Sequence, residues 1–258
     1  MKNVLKYPGS KNRIAKWICD MIPSHEVYLE PFFGGGAVFF NKEPARIETI
    51  NDISSEVYNY FKQLRENPDE LIKLLSLTPY SRQEYEESFN KSYTEIERAR
   101  KFAVGFGCSN KYKNGFRSSK GKMSPVTTKF WDEFPTVLMQ ATERLKQAQI
   151  EHKDAIELIE SYNKEEVFIY ADPPYLLSTR KNYLYEYEMK DEEHIRLLNA
   201  LKKHKGKVMI SGYENDLYNE TLVGWHKCTK NTTAESAIKR TEVVWMNYEP
   251  FEQLKMSI

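Results

Sequence analysis

Seven short apolar runs constrain the fold of this chain more than any other feature of its sequence. They are rich in β-branched and aromatic residues, and stretches with the spacing of amphipathic helices lie between them. The runs are VYLEPF, RIETIND, AQIEHKD, EVFIYADP, KVMISGY, WHKCTKN and EVVWMNY. This alternation predicts an α/β fold with a mostly parallel sheet and crossover helices. Ligands of such open sheets bind beyond the carboxyl ends of the strands.

The composition bounds the size and the surroundings of the protein. A chain of 258 residues with 40% hydrophobic residues can form one large domain or one domain with an insertion. Because 38 Lys and Arg balance 37 Asp and Glu, any attraction to a polyanion must come from how the charge is distributed. The three cysteines form no CxxC pair, which fits a reducing compartment. The N-terminus has no signal core and no apolar stretch is long enough to span a membrane, so we expect a cytoplasmic protein without membrane contact.

A glycine triplet, Gly34 to Gly36, follows the first run. Glycine lets the backbone turn tightly and lets a ligand approach the peptide groups, although a plain strand-to-helix turn also uses it. Asp52 ends the second run, where sheets of this kind accept hydrogen bonds from ribose hydroxyls. Because no further glycine completes G-x-G-x-x-G, the pattern favours a nucleoside without a pyrophosphate, and S-adenosylmethionine is such a ligand.

The sequence DPPY, residues 172–175, ends the fourth run. Pro173 and Pro174 cannot donate backbone hydrogen bonds, so they end the strand and hold the Asp172 carboxylate and a neighbouring carbonyl as acceptors on a rigid turn. Two acceptors suit an exocyclic NH2 group, and Tyr175 offers a ring that can stack on a planar base. The other interpretation is a strand-ending turn with a solvated Asp172.

KYPGSK, EPFFGGGA and DPPY stand in the order found in the Dam-like (D12 class, alpha-group) DNA adenine methyltransferases, which the chain resembles over nearly its whole length. The resemblance implies a Rossmann-like S-adenosylmethionine-dependent methyltransferase fold with a mostly parallel seven-stranded sheet. It also implies transfer of a methyl group from S-adenosyl-L-methionine to the exocyclic amino nitrogen of a flipped-out adenine in duplex DNA. S-adenosyl-L-homocysteine would be the product.

The same resemblance assigns roles to residues. The expected catalytic residues are Asp172, Pro173, Pro174 and Tyr175. The expected cofactor-binding residues are Tyr7, Gly9, Lys11, Phe32, Phe33, Gly34, Gly35, Gly36, Asp52, Ile53, Asp154, Ala155 and Asp172. Asp52 matches the ribose ligand, and Asp154 matches the acid that pairs with the adenine amino group of the cofactor. Asp154 also stands where a plain helix N-cap is expected. The five histidines are scattered without ligand spacing, so no metal site is expected.

The stretch from Arg98 to Trp131 contains nine Lys or Arg residues and no Asp or Glu. Such a run can be plain solvated surface, but aromatic residues interleave with it and its basic side chains can neutralise DNA phosphates. The candidate DNA-binding residues are Arg98, Lys101, Asn110, Lys111, Lys113, Asn114, Arg117, Lys120 and Lys122. The stretch NKYKNGFRSSKGKMSPVTTK departs from the R-x-N…G-x-[FY]-N-x-P-x-G pattern of relatives that read GATC, so the resemblance does not extend to a GATC target.

These features predict a catalytic, S-adenosylmethionine-binding domain of residues 1–70 and 148–258. A helical and loop insertion of residues 71–147 would recognise the DNA target. Two other functions stay open. One is an amino methyltransferase that acts on cytosine, RNA or a protein amide; the other is a non-catalytic DNA-binding module on a degenerate methyltransferase fold. Roles in restriction-modification and in regulation, and the oligomeric state, also stay open.

Overall fold

All seven predicted strands are present in the computed structural model, which describes residues 3–109, 115–118, 126–180, 185–233 and 239–250. The predicted α/β class is therefore confirmed. The strands are β1 Val27–Glu30, β2 Ile47–Asn51, β3 Ala148–Glu151, β4 Val167–Ala171, β5 Val208–Tyr213, β6 His226–Thr233 and β7 Lys239–Met246.

The strands form one sheet in the order β3-β2-β1-β4-β5-β7-β6. β1 lies parallel to both β2 and β4, with Leu29 opposite Thr49 on one side and Ile169 on the other. β4 is parallel to β5, whereas β7 runs antiparallel to β5 and β6. The strand order changes direction between β1 and β4, so a crevice for ligands is expected beyond the carboxyl ends of these two strands.

Helices occupy most of the chain between the strands. They are α1 Ala15–Cys19, α2 Ser55–Glu66, α3 Pro68–Leu77, α4 Arg82–Glu87, α5 Glu95–Gly107, α6 Val126–Leu145, α7 Ala155–Ser161, α8 Asp191–Lys203 and α9 Asp216–Thr221. Side chains cap several of them; the Ser81 hydroxyl, for example, accepts from the Glu84 amide at 3.1 Å. Of the helices described, none is both long and apolar enough to cross a membrane.

The chain divides into two compact units, and the one that carries most of the sheet consists of Lys16–Phe33, Glu43–Ile53 and Glu151–Ile258. Its core is formed by residues of β1, β4, β5 and β7 together with α7 and α8. Every residue of β4 is buried, as expected for a central strand covered on both faces. The rigid centre of this unit therefore fixes the position at which β4 ends.

The other unit consists of Met1–Ala15, Gly34–Lys42 and Ser54–Ile150. Aromatic side chains dominate its core: Tyr60 and Phe102 have ring centroids 6.1 Å apart, and the Trp131 indole donates to the Thr78 carbonyl at 2.8 Å. Gly107 permits this packing, because a Cβ atom there would lie only 2.4 Å from the Trp131 ring. This unit is therefore a helical body with a tightly filled core.

The compact units differ from the predicted domain boundaries. The predicted insertion, residues 71–147, packs with α2 and belongs to one unit with residues 54–70. The physical reason is that Tyr60 and Phe61 of α2 are fully buried and complete the aromatic core of that unit. The assignment of catalysis and DNA recognition to the predicted domains stays a prediction.

Candidate active site

The DPPY sequence begins at the carboxyl end of β4, next to the change of direction in the strand order. Asp172 directly follows the last residue of β4 and is half-buried. Pro173 is buried and Pro174 half-buried, and the chain then enters a short 3₁₀ turn, Leu177–Thr179. The two prolines end the strand at the predicted position, because neither has an N–H group that could continue the ladder.

Tyr175 is held on two sides. Its hydroxyl donates a hydrogen bond to Oε2 of Glu242 at 2.9 Å. Its ring meets Tyr213 edge to face, with centroids 4.6 Å apart and an interplanar angle of 77°. Burial, and then the nearby carboxylates of Asp172 and Glu242, raise the pKa of Tyr175 well above its usual value. The phenol is therefore a neutral hydrogen-bond donor over the ordinary pH range.

Arg180 fixes the segment that follows the motif. Its Nε donates to the Tyr175 carbonyl at 2.7 Å, and its two terminal nitrogens bind both oxygens of Glu188. The Arg180 side chain is only 3% exposed. A buried bidentate pair of this kind holds the Arg180 guanidinium in one orientation, from which its Nε reaches the Tyr175 carbonyl.

Asp52 and Ile53 directly follow β2. Asp52 is half-buried, whereas Ile53 is exposed and its carbonyl is bound by the His152 ring at 3.0 Å. The last residue of β2, Asn51, is buried, and its backbone carbonyl accepts from the Phe33 amide at 2.9 Å. This bond brings the end of the Phe32–Phe33 segment next to the end of β2, as the resemblance implies for a cofactor site.

Asp154 is the N-cap of α7. Its Oδ1 accepts from the amides of Ile156 at 2.9 Å and Glu157 at 3.0 Å, which confirms the N-cap interpretation. Ala155, the first residue of α7, is buried, whereas Asp154 itself is exposed. Because both cap bonds go to one oxygen, capping is compatible with a second role, and cofactor binding by Asp154 stays a prediction.

In the helical unit, the glycine triplet lies against the N-terminal segment. Gly34 and Gly36 have positive φ of 49° and 65°. A Cβ atom on Gly34 would lie 3.0 Å from Cδ1 of Tyr7, and one on Gly35 would lie 2.9 Å from the Leu5 carbonyl oxygen. Residues 37–40 form turns, in which the Phe40 amide donates to the Gly36 carbonyl at 3.0 Å, and the next helix, α2, begins at Ser55.

Tyr7, Gly9 and Lys11 lie on this same N-terminal segment. Gly9 has φ of 72°, and the buried Lys11 folds back so that its Nζ donates to the Gly9 carbonyl at 2.8 Å. The Tyr7 ring contacts Phe106 of α5, with centroids 5.4 Å apart. The structure therefore brings together the two motifs, residues 7–11 and 34–36, that the resemblance groups by function.

Only part of the predicted DNA-binding set can be located. Asn110, Lys111, Lys113, Asn114, Lys120 and Lys122 lie outside the described residues. Arg98 is bound by Glu56, with Nη2 2.6 Å from Oε1, and Arg100 by Glu84 and Glu97. Two charges of the basic run are therefore offset by acids from outside it, because helical packing brings α2, α4 and the start of α5 beside these arginines.

The remaining two candidates of this set differ in their environment. Nζ of Lys101 donates to the Asn90 carbonyl at 3.2 Å on an exposed surface. The Arg117 amide donates to the Cys108 carbonyl at 2.9 Å, beside an isolated antiparallel bridge between Ser109 and Phe116. Neither of these hydrogen bonds is to a carboxylate.

Across the described residues, no group of three or more His, Cys, Asp or Glu side chains has a geometry that could hold a metal ion.

The sequence did not single out Asn51, Arg180, Tyr213, Glu188 and Glu242 as parts of the site. Glu242 lies within the last apolar run, which was interpreted only as a closing strand. An acid in a run that is otherwise apolar is the signal that could have indicated it, since such a group needs a buried partner.

The fold defines the class: a Rossmann-like α/β protein with a seven-stranded, mostly parallel sheet. Residues 7–238 match the profile of the D12 class N6 adenine-specific DNA methyltransferases. The chain belongs to this family, and it is an enzyme of DNA adenine methylation. The family, the methyltransferase fold and DNA adenine methylation, all predicted from the sequence, are therefore confirmed.

Characterised relatives cover almost the whole chain. It is 28% identical over 261 residues to the Type II methyltransferase M.MjaIII of Methanocaldococcus jannaschii, with 88% of this chain and 89% of that protein covered. It is 26% identical over 286 residues to the Type II methyltransferase M1.LlaDCHI of Lactococcus lactis subsp. cremoris, with 94% of each covered. It is 27% identical over 235 residues to the Type II methyltransferase M.CviBI of Paramecium bursaria Chlorella virus NC1A, with 87% and 88% covered.

Proposed function

We propose that this enzyme methylates the exocyclic amino nitrogen of an adenine flipped out of duplex DNA, with S-adenosyl-L-methionine as the methyl donor. The observation that carries the proposal is the position of Asp172, which directly follows a fully buried strand in the sequence and directly precedes two prolines. A carboxylate held at that point has little freedom to move away from a bound base.

The residues present suit S-adenosylmethionine by their chemistry. Asp52, half-buried at the tip of β2, offers carboxylate oxygens of the kind that bind ribose hydroxyls. The Gly34–Gly36 turn packs closely against the N-terminal segment, since a Cβ atom on Gly34 or Gly35 would meet Tyr7 or Leu5, and its peptide groups would contact the methionine part of the cofactor. Asp154, Phe32 and Phe33 would complete the site. Bound S-adenosylmethionine supplies a methyl group that its sulfonium makes electrophilic.

The chain's own residues orient the amino group. The Asp172 carboxylate and the Pro173 carbonyl accept its two hydrogens, which directs the nitrogen lone pair away from the ring of the base. Tyr175 would contribute an aromatic face to the extrahelical base, with its hydroxyl anchored to Glu242. The methylated nitrogen then loses a proton to a neighbouring acceptor. Because the methyl group passes directly to nitrogen, no covalent bond to the enzyme forms.

Duplex DNA would be bound by the basic run of the helical unit. Lys101, which is half-buried, is the clearest candidate among the residues described, because its hydrogen bonds go to the backbone carbonyls of Asn90 and Lys91 rather than to a carboxylate. Phosphate contacts of this kind make binding depend steeply on salt. The Type II relatives lead us to include a role in restriction-modification, in the cytoplasm, in this proposal.

The labelled base tests the proposal. The enzyme is incubated with radiolabelled S-adenosylmethionine and long unmethylated genomic DNA, and the DNA is digested to nucleosides and separated by chromatography. We expect the label in N6-methyl-2′-deoxyadenosine. Label in a cytosine nucleoside would overturn the role of the DPPY motif, and label only in added RNA or protein would overturn the DNA substrate.

A further inference from the structure

One buried amide connects three segments of the sheet unit. Nδ2 of Asn51 donates to the carbonyls of Pro31, at 3.0 Å, and Lys153, at 3.1 Å. Its Oδ1 accepts from the Lys153 amide at 2.8 Å. Asn51 is 1% exposed, and its bond to the Pro31 carbonyl is buried, whereas the two bonds to Lys153 are partly buried.

Each connected segment carries residues of the proposed cofactor site. Pro31 precedes Phe32 and Phe33, Lys153 precedes Asp154, and Asn51 itself precedes Asp52. The Phe33 amide adds a fourth bond, to the Asn51 backbone carbonyl. Asn51 therefore holds the segment after β1, the end of β2 and the segment after β3 next to one another. Pro31 lies 20 positions and Lys153 lies 102 positions from Asn51 in the sequence.

We infer that Asn51 is a positioning residue for the cofactor site, which acts by setting the relative placement of Asp52, Asp154 and the Phe32–Phe33 segment. This inference rests on the proposed function. Only a neutral amide satisfies all three partners, because it offers two hydrogens and an acceptor within one planar group. Aspartate offers no hydrogen to the two carbonyls, and alanine removes the side-chain partner of all three backbone groups, of which the Pro31 carbonyl is in a buried bond.

The variants Asn51→Asp and Asn51→Ala test the inference against a matched control, Asn59→Ala. Asn59 is also buried, and its amide donates to the Glu95 carbonyl at 2.8 Å in the helical unit, which contains none of the three segments. Titration calorimetry with S-adenosylmethionine, at a temperature where circular dichroism shows each variant folded, gives the dissociation constants.

We expect both Asn51 variants to bind S-adenosylmethionine on the order of 10-fold to 100-fold more weakly than the wild type, because small misplacements of several contacts multiply. Asn59→Ala should bind with unchanged affinity even where its melting temperature falls equally. At saturating S-adenosylmethionine, the Asn51 variants should recover most of kcat, with the KM for DNA unchanged. A purely structural role would not produce this separation of KM from kcat.

A second measurement needs no variant. Hydrogen exchange of the wild-type Lys153 and Phe33 amides, both bonded to Asn51, should slow when S-adenosylhomocysteine is added. Unchanged exchange at both amides, or Asn51 variants that bind as tightly as Asn59→Ala, would overturn the inference while the enzyme still methylates DNA. Failure of the wild type to bind S-adenosylmethionine would instead overturn the proposed function.

Discussion

The Tyr175 hydroxyl donates to the Glu242 carboxylate at 2.9 Å and thereby links the chain after β4 to the antiparallel strand β7. The ring of Tyr213, the last residue of β5, packs edge to face against the Tyr175 ring, with the two centroids 4.6 Å apart. The orientation of the motif tyrosine therefore depends on a residue 67 positions away. Four of the predictions below test the proposed site and its substrate, and one tests the folded state.

The Tyr175 and Glu242 variants should be coupled. Glu242→Ala removes the acceptor and should lower kcat/KM by about fivefold, equivalent to roughly 1 kcal/mol for one hydrogen bond. Glu242→Gln keeps an acceptor oxygen and should stay near the wild type. In a Tyr175→Phe background, Glu242→Ala should have little further effect, as a double-mutant cycle would measure. Fully additive effects would show that the bond does not orient the ring.

Asp172→Ala should lower the rate of methyl transfer by a factor of roughly 100 or more, because the amino group loses a positioned, charged acceptor. Binding of S-adenosylmethionine should stay largely intact, as calorimetry would show. Asp172→Asn is the matched variant of equal size, and its activity measures what the charge contributes. Turnover of Asp172→Ala at the wild-type rate would contradict the assigned role.

Gly35→Ala should destabilise the fold by roughly 1–3 kcal/mol, since its Cβ atom would lie 2.9 Å from a backbone oxygen that cannot easily move. It should also weaken binding of S-adenosylmethionine. Gly224→Ala is the control: its φ of 88° makes alanine unfavourable, yet no atom lies within 4 Å of the added carbon. Both melting temperatures should fall, whereas only Gly35→Ala should change the dissociation constant.

Folding stability should decrease as the pH falls from about 6.5 to about 4, since burial lowers the pKa of His194 to about 4 from its usual 6.5. In this window the unfolded chain takes up a proton that folded His194 does not, so the loss is on the order of 3 kcal/mol. Urea titrations of the wild type and His194→Gln should show a smaller loss for the variant. His152→Gln, at an exposed position, should behave like the wild type.

Lys101→Ala should weaken DNA binding and reduce the slope of log K against log salt by about one unit, the value for one phosphate contact. Lys146→Ala serves as the control, because Lys146 is paired with Glu143 on the exposed surface. Fluorescence anisotropy with a labelled duplex at several salt concentrations measures both slopes. An equal slope for Lys101→Ala and the wild type would remove Lys101 from the DNA-binding set.

The sequence predicts the strands well because each one concentrates apolar residues over a short distance. β4 is the clearest case, since all five of its residues are buried. Local chemistry also predicted the end of this strand at Pro173 and the N-cap Asp154. These features depend on neighbours in the sequence, and the energy that decides them is local.

Features that depend on distant pairing were not predicted. β7 lies between β5 and β6, and no local pattern in the last two runs indicates this pairing. The Asn51 side chain bonds to two carbonyls that lie just after β1 and β3, and the motif NDIS does not reveal these partners. The compact units likewise depend on where Tyr60 finds its aromatic partners.

The chain passes between the two compact units five times, at residues 15/16, 33/34, 42/43, 53/54 and 150/151. The longest uninterrupted piece of the helical unit, Ser54–Ile150, could in principle be exchanged between genes as one cassette. Yet Tyr60 of that piece donates to the Val4 carbonyl, and Arg144 lies over the Phe39 ring, so its packing partners would stay behind in the recipient. Recombination that replaces this cassette should therefore succeed mainly between genes whose N-terminal and glycine-turn segments already match, so this piece and those segments should be inherited together.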